Sequence, residues 1–124
     1  MKLIEDILLK NKIIPVVVIN DINVALKLSE VLLSEGIKII EITLRTENAF
    51  KIISAITKTF PKIIVGAGTV LSSTMAIKAR DCGAIFSVSP GYTESLIDSC
   101  KKNDIPFLDE YKLPGVHSKL LLTS

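Results

Sequence analysis

The chain reads as an α/β protein built on a parallel sheet, and three observations point there. Short runs rich in β-branched residues alternate with segments of helical period from Ile13 to Leu108. The strands recur at roughly 20–25 residues, the spacing of βα units joined by short loops. Polar residues gather where strands end: Glu41 and Arg45, Gly68 and Thr69, Ser87 and Ser89. Such alternation implies a parallel sheet covered by helices. It can close in two ways, as an open doubly wound sheet or as a (β/α)8 barrel of TIM type. No G-x-G-x-x-G follows the first strand, so the dinucleotide-binding sheet loses its main support. In a barrel, polar strand ends form the catalytic rim.

The elements follow in order. Lys2 to Lys10 carries apolar residues at Leu3, Ile4, Ile7, Leu8 and Leu9, the pattern of a short amphipathic helix. Ile13 to Ile19 is a continuous β-branched run, too short for a helix, and reads as a strand buried on both faces. Pro15 is tolerated near its start, where the amide need not join a ladder. Asp21 is expected to cap a helix whose apolar stripe is Ala25, Leu28, Val31 and Leu32, and Gly36 supplies its left-handed stop. The second strand is Ile37 to Leu44. Thr46 is expected to cap a helix carrying Ala49, Ile52, Ile53 and Ile56, which ends at Phe60-Pro61.

A third strand, Lys62 to Ala67, runs into Gly68-Thr69. Ser72 or Ser73 caps the next helix, through Ala76, Ile77 and Ala79, which Gly83 closes. The fourth strand is Ala84 to Ser89, ending at Pro90-Gly91. Thr93 caps a helix with Leu96, Ile97 and Cys100, ending around Asn103, and a fifth strand begins at Ile105-Pro106-Phe107-Leu108. After Leu108 no clean period remains, and Lys119 to Thr123 is apolar but short.

Composition narrows the function. A length of 124 residues sets one domain as the limit. Hydrophobic residues at 48% and charged residues at 23% describe a folded, soluble globular chain. A net charge of +2 with dispersed lysines argues against nucleic acid as a partner, and 5% aromatics without tryptophan offer no stacking platform. Cys82 and Cys100 lack C-x-x-C spacing and read as reduced, core-filling residues of a cytoplasmic protein. MKLIEDILLKNK contains acids and no long apolar core, so it is not a signal peptide. No apolar run approaches the roughly 20 residues that span a bilayer. His117, alone in an irregular stretch, reads as an exposed loop residue, and no metal site is expected.

Three motifs remain. In EITLRT, Glu41 to Thr46, strand alternation puts Glu41, Thr43 and Arg45 on one face and Ile40, Ile42 and Leu44 on the other. An acid and a base on one face of a buried strand are costly unless they are paired or used. The pair is either a salt bridge, an exposed edge feature, or a site in which Arg45 grips a carboxylate and Glu41 moves a proton. GAGT, Gly66 to Thr69, is either a tight βα turn or a place where a ligand approaches the backbone. SVSPG, Ser87 to Gly91, has the same two readings.

Taken together, IIPVVVI, EITLRTENA, IVGAGTVL and FSVSPGYTESL resemble the KHG/KDPG aldolase family in order, spacing and strand context, over about Ile13 to Leu108. The resemblance implies a (β/α)8 barrel, usually trimeric, of which about five of eight βα units are present here. It implies a class I lyase that uses no metal or organic cofactor. Such an enzyme cleaves a 2-keto-4-hydroxy acid (2-keto-3-deoxy-6-phosphogluconate or 4-hydroxy-2-oxoglutarate) to pyruvate and an aldehyde. Glu41 matches the family's proton-moving glutamate. Arg45 and Thr69 match the residues that hold the pyruvate carboxylate, and Pro90 matches a position lining the substrate pocket.

Class I chemistry also needs a lysine amine, which forms an imine with the keto carbon and gives the released electrons a sink. The family carries it on the sixth strand in a KFFPA-like motif, which this sequence lacks, so no Schiff-base lysine is expected in this chain. Lys112 and Lys119 fall in the irregular stretch and match no such strand. There, DEYK intervenes before Leu113-Pro114-Gly115-Val116, where the family continues directly into PGV. The expected organisation is therefore the N-terminal part of an aldolase barrel over 1–108 and an irregular tail over 109–124, a C-terminally truncated member of the family. Its partners would be a small keto acid, copies of itself, and a complementing C-terminal fragment that brings the lysine. The alternative is a non-catalytic remnant, inactive alone or dependent on a second chain.

Overall fold

The computed structural model describes residues 6–7, 10–11, 13–109 and 118–123. Its elements are β1 (Ile13–Val18), α1 (Ile22–Ser34), β2 (Ile39–Thr43), α2 (Ala49–Thr59), β3 (Ile64–Gly68), α3 (Ser73–Asp81), β4 (Phe86–Ser89), α4 (Glu94–Lys102), β5 (Phe107–Asp109) and β6 (Ser118–Thr123). The strands form one sheet in the order β5-β4-β3-β2-β1-β6, and every adjacent pair is parallel. This is the α/β alternation expected, with part of a barrel present.

Local chemistry sets most boundaries. The side chains of Asp21, Ser72 and Thr93 accept from the amides of Val24, Met75 and Leu96, so each satisfies a free donor of a first helical turn. Gly36, with φ of 83°, ends α1 in the left-handed region that glycine enters without strain.

Three expectations change. Thr46 does not cap α2: its hydroxyl donates to the Ile19 carbonyl, and Asn48 holds the N-cap position without a side-chain cap bond. Asn48 instead ties to the end of β1, its amide donating to Asn20 Oδ1 and its Nδ2 to the Asn20 carbonyl. The second strand stops at Thr43, which leaves Leu44 and Arg45 in a turn. Most of the difference concerns Ser118–Thr123, which forms a sixth strand where an irregular tail was expected, in register with β1 from Ile13↔Ser118 to Val18↔Thr123. An edge strand offers a row of unused amides and carbonyls, and an apolar run can pair with it whatever its own period. Lys112 and His117 lie outside the described residues.

The sheet separates two cores. On the helix side Val17, Ile40, Ile42, Val65 and Ala67 pack with Ile52, Ile53, Ile56, Ala76, Ala79, Leu96 and Cys100. Burying an isoleucine such as Ile53 completely stabilises the fold by about 1.5–3 kcal/mol. On the other side Ile14, Ile39, Phe86, Val88 and Leu108 form a smaller cluster. Cys82 and Cys100 are both free thiols. Among the described residues no helix is long and apolar enough to cross a membrane.

Candidate functional site at the ends of β2 and β3

Strand alternation divides β2 between the two cores. Ile40 and Ile42 join the helix-side cluster and Ile39 the opposite one, so Glu41 and Thr43 share the face of Ile39. The register runs Val16↔Glu41, Glu41↔Gly66 and Gly66↔Phe86, one row across four strands. Glu41 is only 4% exposed. Its carboxylate does not rest over its register partner. A Cβ built at Gly68, two residues nearer the C-terminal end of β3, would fall within 3.0 Å of Glu41 Oε2. The carboxylate therefore leans toward the rim and occupies the space that Gly68 leaves open. Two residues further along β2, on the same face, the Thr43 hydroxyl donates to the Val17 carbonyl at 3.2 Å.

Arg45 leaves the strand and is exposed, so the alternation that placed it beside Glu41 does not reach it. The turn still returns it to the same strand ends: Arg45 Nε donates to Thr69 Oγ1 at 3.1 Å. Thr69 has φ of 56°. A β-branched residue rarely adopts this region, and holding it there costs of order 1–3 kcal/mol. Its neighbours fix it on both sides. The Gly68 carbonyl accepts from the Leu44 amide at 2.9 Å, and the Val70 amide donates to the Val88 carbonyl at 3.0 Å.

Pro90 follows β4, the strand next to β3, and is exposed. Ser87 and Ser89 alternate with Phe86 and Val88, so they lie on the side of the sheet away from Glu41. Ser89 Oγ serves the turn itself, accepting from the Gly91 amide at 3.2 Å and donating to the Gly91 carbonyl at 2.9 Å. Neither serine therefore faces Glu41, and Ser89 serves the turn. The fold brings Glu41, Arg45 and Thr69 together and leaves Pro90 one strand away. The bed that Gly68 provides for Glu41 was not foreseen, although a glycine inside a strand is the usual mark of a close approach.

The arrangement offers an exposed guanidinium with a hydroxyl beside it, and a buried carboxylate lodged over Gly68, the residue before Thr69. A guanidinium fork matches a carboxylate through two parallel hydrogen bonds. A large groove of about 520 Å3 between α4 and β5, lined by Cys100, Ile105 and Phe107 among others, opens at the start of β5, away from these strand ends. Among the described residues no group of three His, Cys, Asp or Glu could hold a metal ion.

A family model described as KDPG and KHG aldolase matches residues 4–121. The chain is similar to the KHG/KDPG aldolase of Escherichia coli (strain K12), at 38% identity over 120 residues, which is 95% of this chain and 54% of that protein. It is similar to the 2-dehydro-3-deoxy-phosphogluconate aldolase of Pseudoalteromonas atlantica, at 37% identity over 92% of this chain and 51% of that protein. Among solved structures, a KDPG aldolase from Legionella pneumophila, with pyruvate captured as a covalent carbinolamine, superposes with a TM-score of 0.76 at 38% identity. That match covers 80% of this chain and 48% of the Legionella one. The chain spans about half the length of the curated relatives it matches.

Proposed function

We propose that this chain, which belongs to the KDPG and KHG aldolase family, supplies the pyruvate side of a class I aldolase site. The reaction is retro-aldol cleavage of a 2-keto-4-hydroxy acid to pyruvate and an aldehyde. One observation carries the reading: Arg45 and Thr69, hydrogen-bonded to each other, stand at the same strand ends as the sequestered carboxylate of Glu41. Arg45 and Thr69 hold the substrate carboxylate, one through its fork and the other through its hydroxyl. Glu41 moves protons, through water, to and from the groups that change charge as the imine forms and the C–C bond breaks. Pro90 borders the same pocket from β4. The Legionella relative, with pyruvate bound covalently, supports this choice of ligand.

The imine-forming amine is the remaining requirement. No KFFPA-like run occurs in these 124 residues. We place the amine on a complementing C-terminal segment, with residues 1–108 acting as the N-terminal part of the barrel and Ser118–Thr123 extending its sheet beside β1. A homotrimer in the cytoplasm, using neither metal nor organic cofactor, completes the proposal.

Titrating the purified chain with pyruvate while following amide NMR signals tests the grip. Shifts at Arg45, Gly68 and Thr69 are expected, and a wild-type spectrum unmoved at high millimolar pyruvate overturns the reading. Borohydride added to the same mixture tests the amine. No covalent pyruvyl adduct is expected on this chain alone. A lysine adduct found by mass spectrometry on Lys112 or Lys119 would remove the need for a complementing segment.

A further inference from the structure

The two glycines of the GAG stretch face the same side of the sheet, and the structure fills the space above each differently. A Cβ at Gly66 would meet the ring of Phe86 closer than 3.0 Å, and a Cβ at Gly68 would meet the carboxyl end of Glu41. Glu41 is in register with Gly66, not with Gly68. A side chain on one strand ordinarily packs against its register partner or the diagonal neighbour two residues along. For Glu41 the first choice is closed, because Phe86, itself in register with Gly66 from the far side, lays its ring there. The open choice is Gly68, one layer nearer the rim and adjacent in sequence to Thr69.

We propose that Phe86 and Gly68 are positioning residues for Glu41: the ring blocks the space over Gly66 and the missing side chain of Gly68 receives the carboxylate. This deepens the aldolase reading and rests on it for its functional meaning. The device explains why both glycines are needed. With a side chain at Gly66 the ring loses its place, and with one at Gly68 the carboxylate loses its own. It also couples the two halves of the chemistry. The residue that seats the proton-moving group, Gly68, is bonded to Thr69, which contacts the guanidinium that grips the substrate. Phe86 is only 1% exposed and packs with Ile14, Ile39, Val88 and Leu108, so the block is part of a core and is not a movable side chain.

The test is a size-exchange cycle on the full chain, read by urea unfolding and by titration of the Glu41 carboxyl carbon in isotope-labelled protein. Gly68→Ala should lower the urea midpoint clearly in the wild-type background. It should do so by less than half as much when Glu41 is also Ala, since the three heavy atoms nearest the new methyl belong to Glu41. Gly68→Ala should also shift the Glu41 titration midpoint, which a general loss of stability would not move. Should Gly68→Ala not fold, Phe86→Leu gives the second arm. It frees the space over Gly66 without creating a clash and should move the same midpoint. An equal stability loss with and without the Glu41 side chain, or a Glu41 titration unchanged in the variants that fold, overturns the proposal. Pyruvate binding by the wild type is scored separately. Its absence defeats the aldolase reading and leaves the outcome of the cycle for Glu41 intact.

Discussion

The two faces of the sheet are made from the same strands and differ in nearly every other respect. The helix-facing side of β2 and β3 is Ile40, Ile42, Val65 and Ala67, packed without polar interruption against α2 and its neighbours. The other side of the same two strands is Ile39, Glu41, Thr43, Ile64, Gly66 and Gly68, with an acid and two glycines where aliphatic residues would pack better. Burial is nearly as complete on both sides: Ile42 is 1% exposed and Glu41 is 4%. The difference lies in purpose. One face maximises apolar contact, and the other gives up contact to hold a polar group in a set place. Apolar packing and the candidate site are thus separated by a single residue step along each strand.

That separation can be broken experimentally, beginning where the effect is largest. Ile53→Ala, on the helix side, should cost about 2–5 kcal/mol in urea unfolding, the range for emptying a well-packed core site. The pyruvate affinity of the molecules that remain folded should be unchanged. Arg45→Gln should do the reverse, weakening pyruvate binding about tenfold or more while leaving unfolding within about 0.5 kcal/mol of wild type. If Arg45→Gln unfolds the protein, the two faces are not separable. Thr93→Ala removes the cap of α4, far from Glu41, and should lower stability by about 1 kcal/mol with no change in binding.

The mildest effect is expected from pH. Burial pushes the Cys100 thiol and, more strongly, the Tyr92 phenol above their ordinary values. Tyr92 donates its hydroxyl proton to the Leu108 carbonyl and meets the Phe107 ring edge-on at 5.1 Å. Both groups stay protonated in the fold at pH values where the unfolded chain would ionise them. Their contribution is complete below the unfolded values, about 8.5 for a thiol and about 10 for a phenol, and declines as pH rises past them. Thermal unfolding followed from neutral to alkaline pH should show this decline, and Tyr92→Phe should remove its upper part.

Much of this was legible because it is local. Asp21, Ser72 and Thr93 cap their helices because each side chain meets an amide three residues on, a contact that needs no other part of the fold. Thr46 has the same residue chemistry and a different partner, the distant Ile19 carbonyl, so local reasoning assigned it a cap it does not make. Glu41, Arg45 and Thr69 stood out as candidates from residue type and strand position. Their geometry was not, because Arg45 reaches Thr69 from a turn and not along the strand. The seat of Glu41 over Gly68 depends on where the Phe86 ring lies, a packing fact carried by no single stretch. β6 was missed for the same reason, since it is defined by the edge that it joins.

The pairing of β6 with β1 also sets a clock. Every other strand pair joins strands consecutive in the chain, so each closes across a single intervening helix. The ladder from Ile13↔Ser118 to Val18↔Thr123 must bring together residues near opposite ends of the chain. Contacts of such high sequence separation form slowly. During folding, β1 is therefore expected to stand as an open edge after the rest of the sheet has assembled, free in that interval to pair with β6 or with a strand of another molecule.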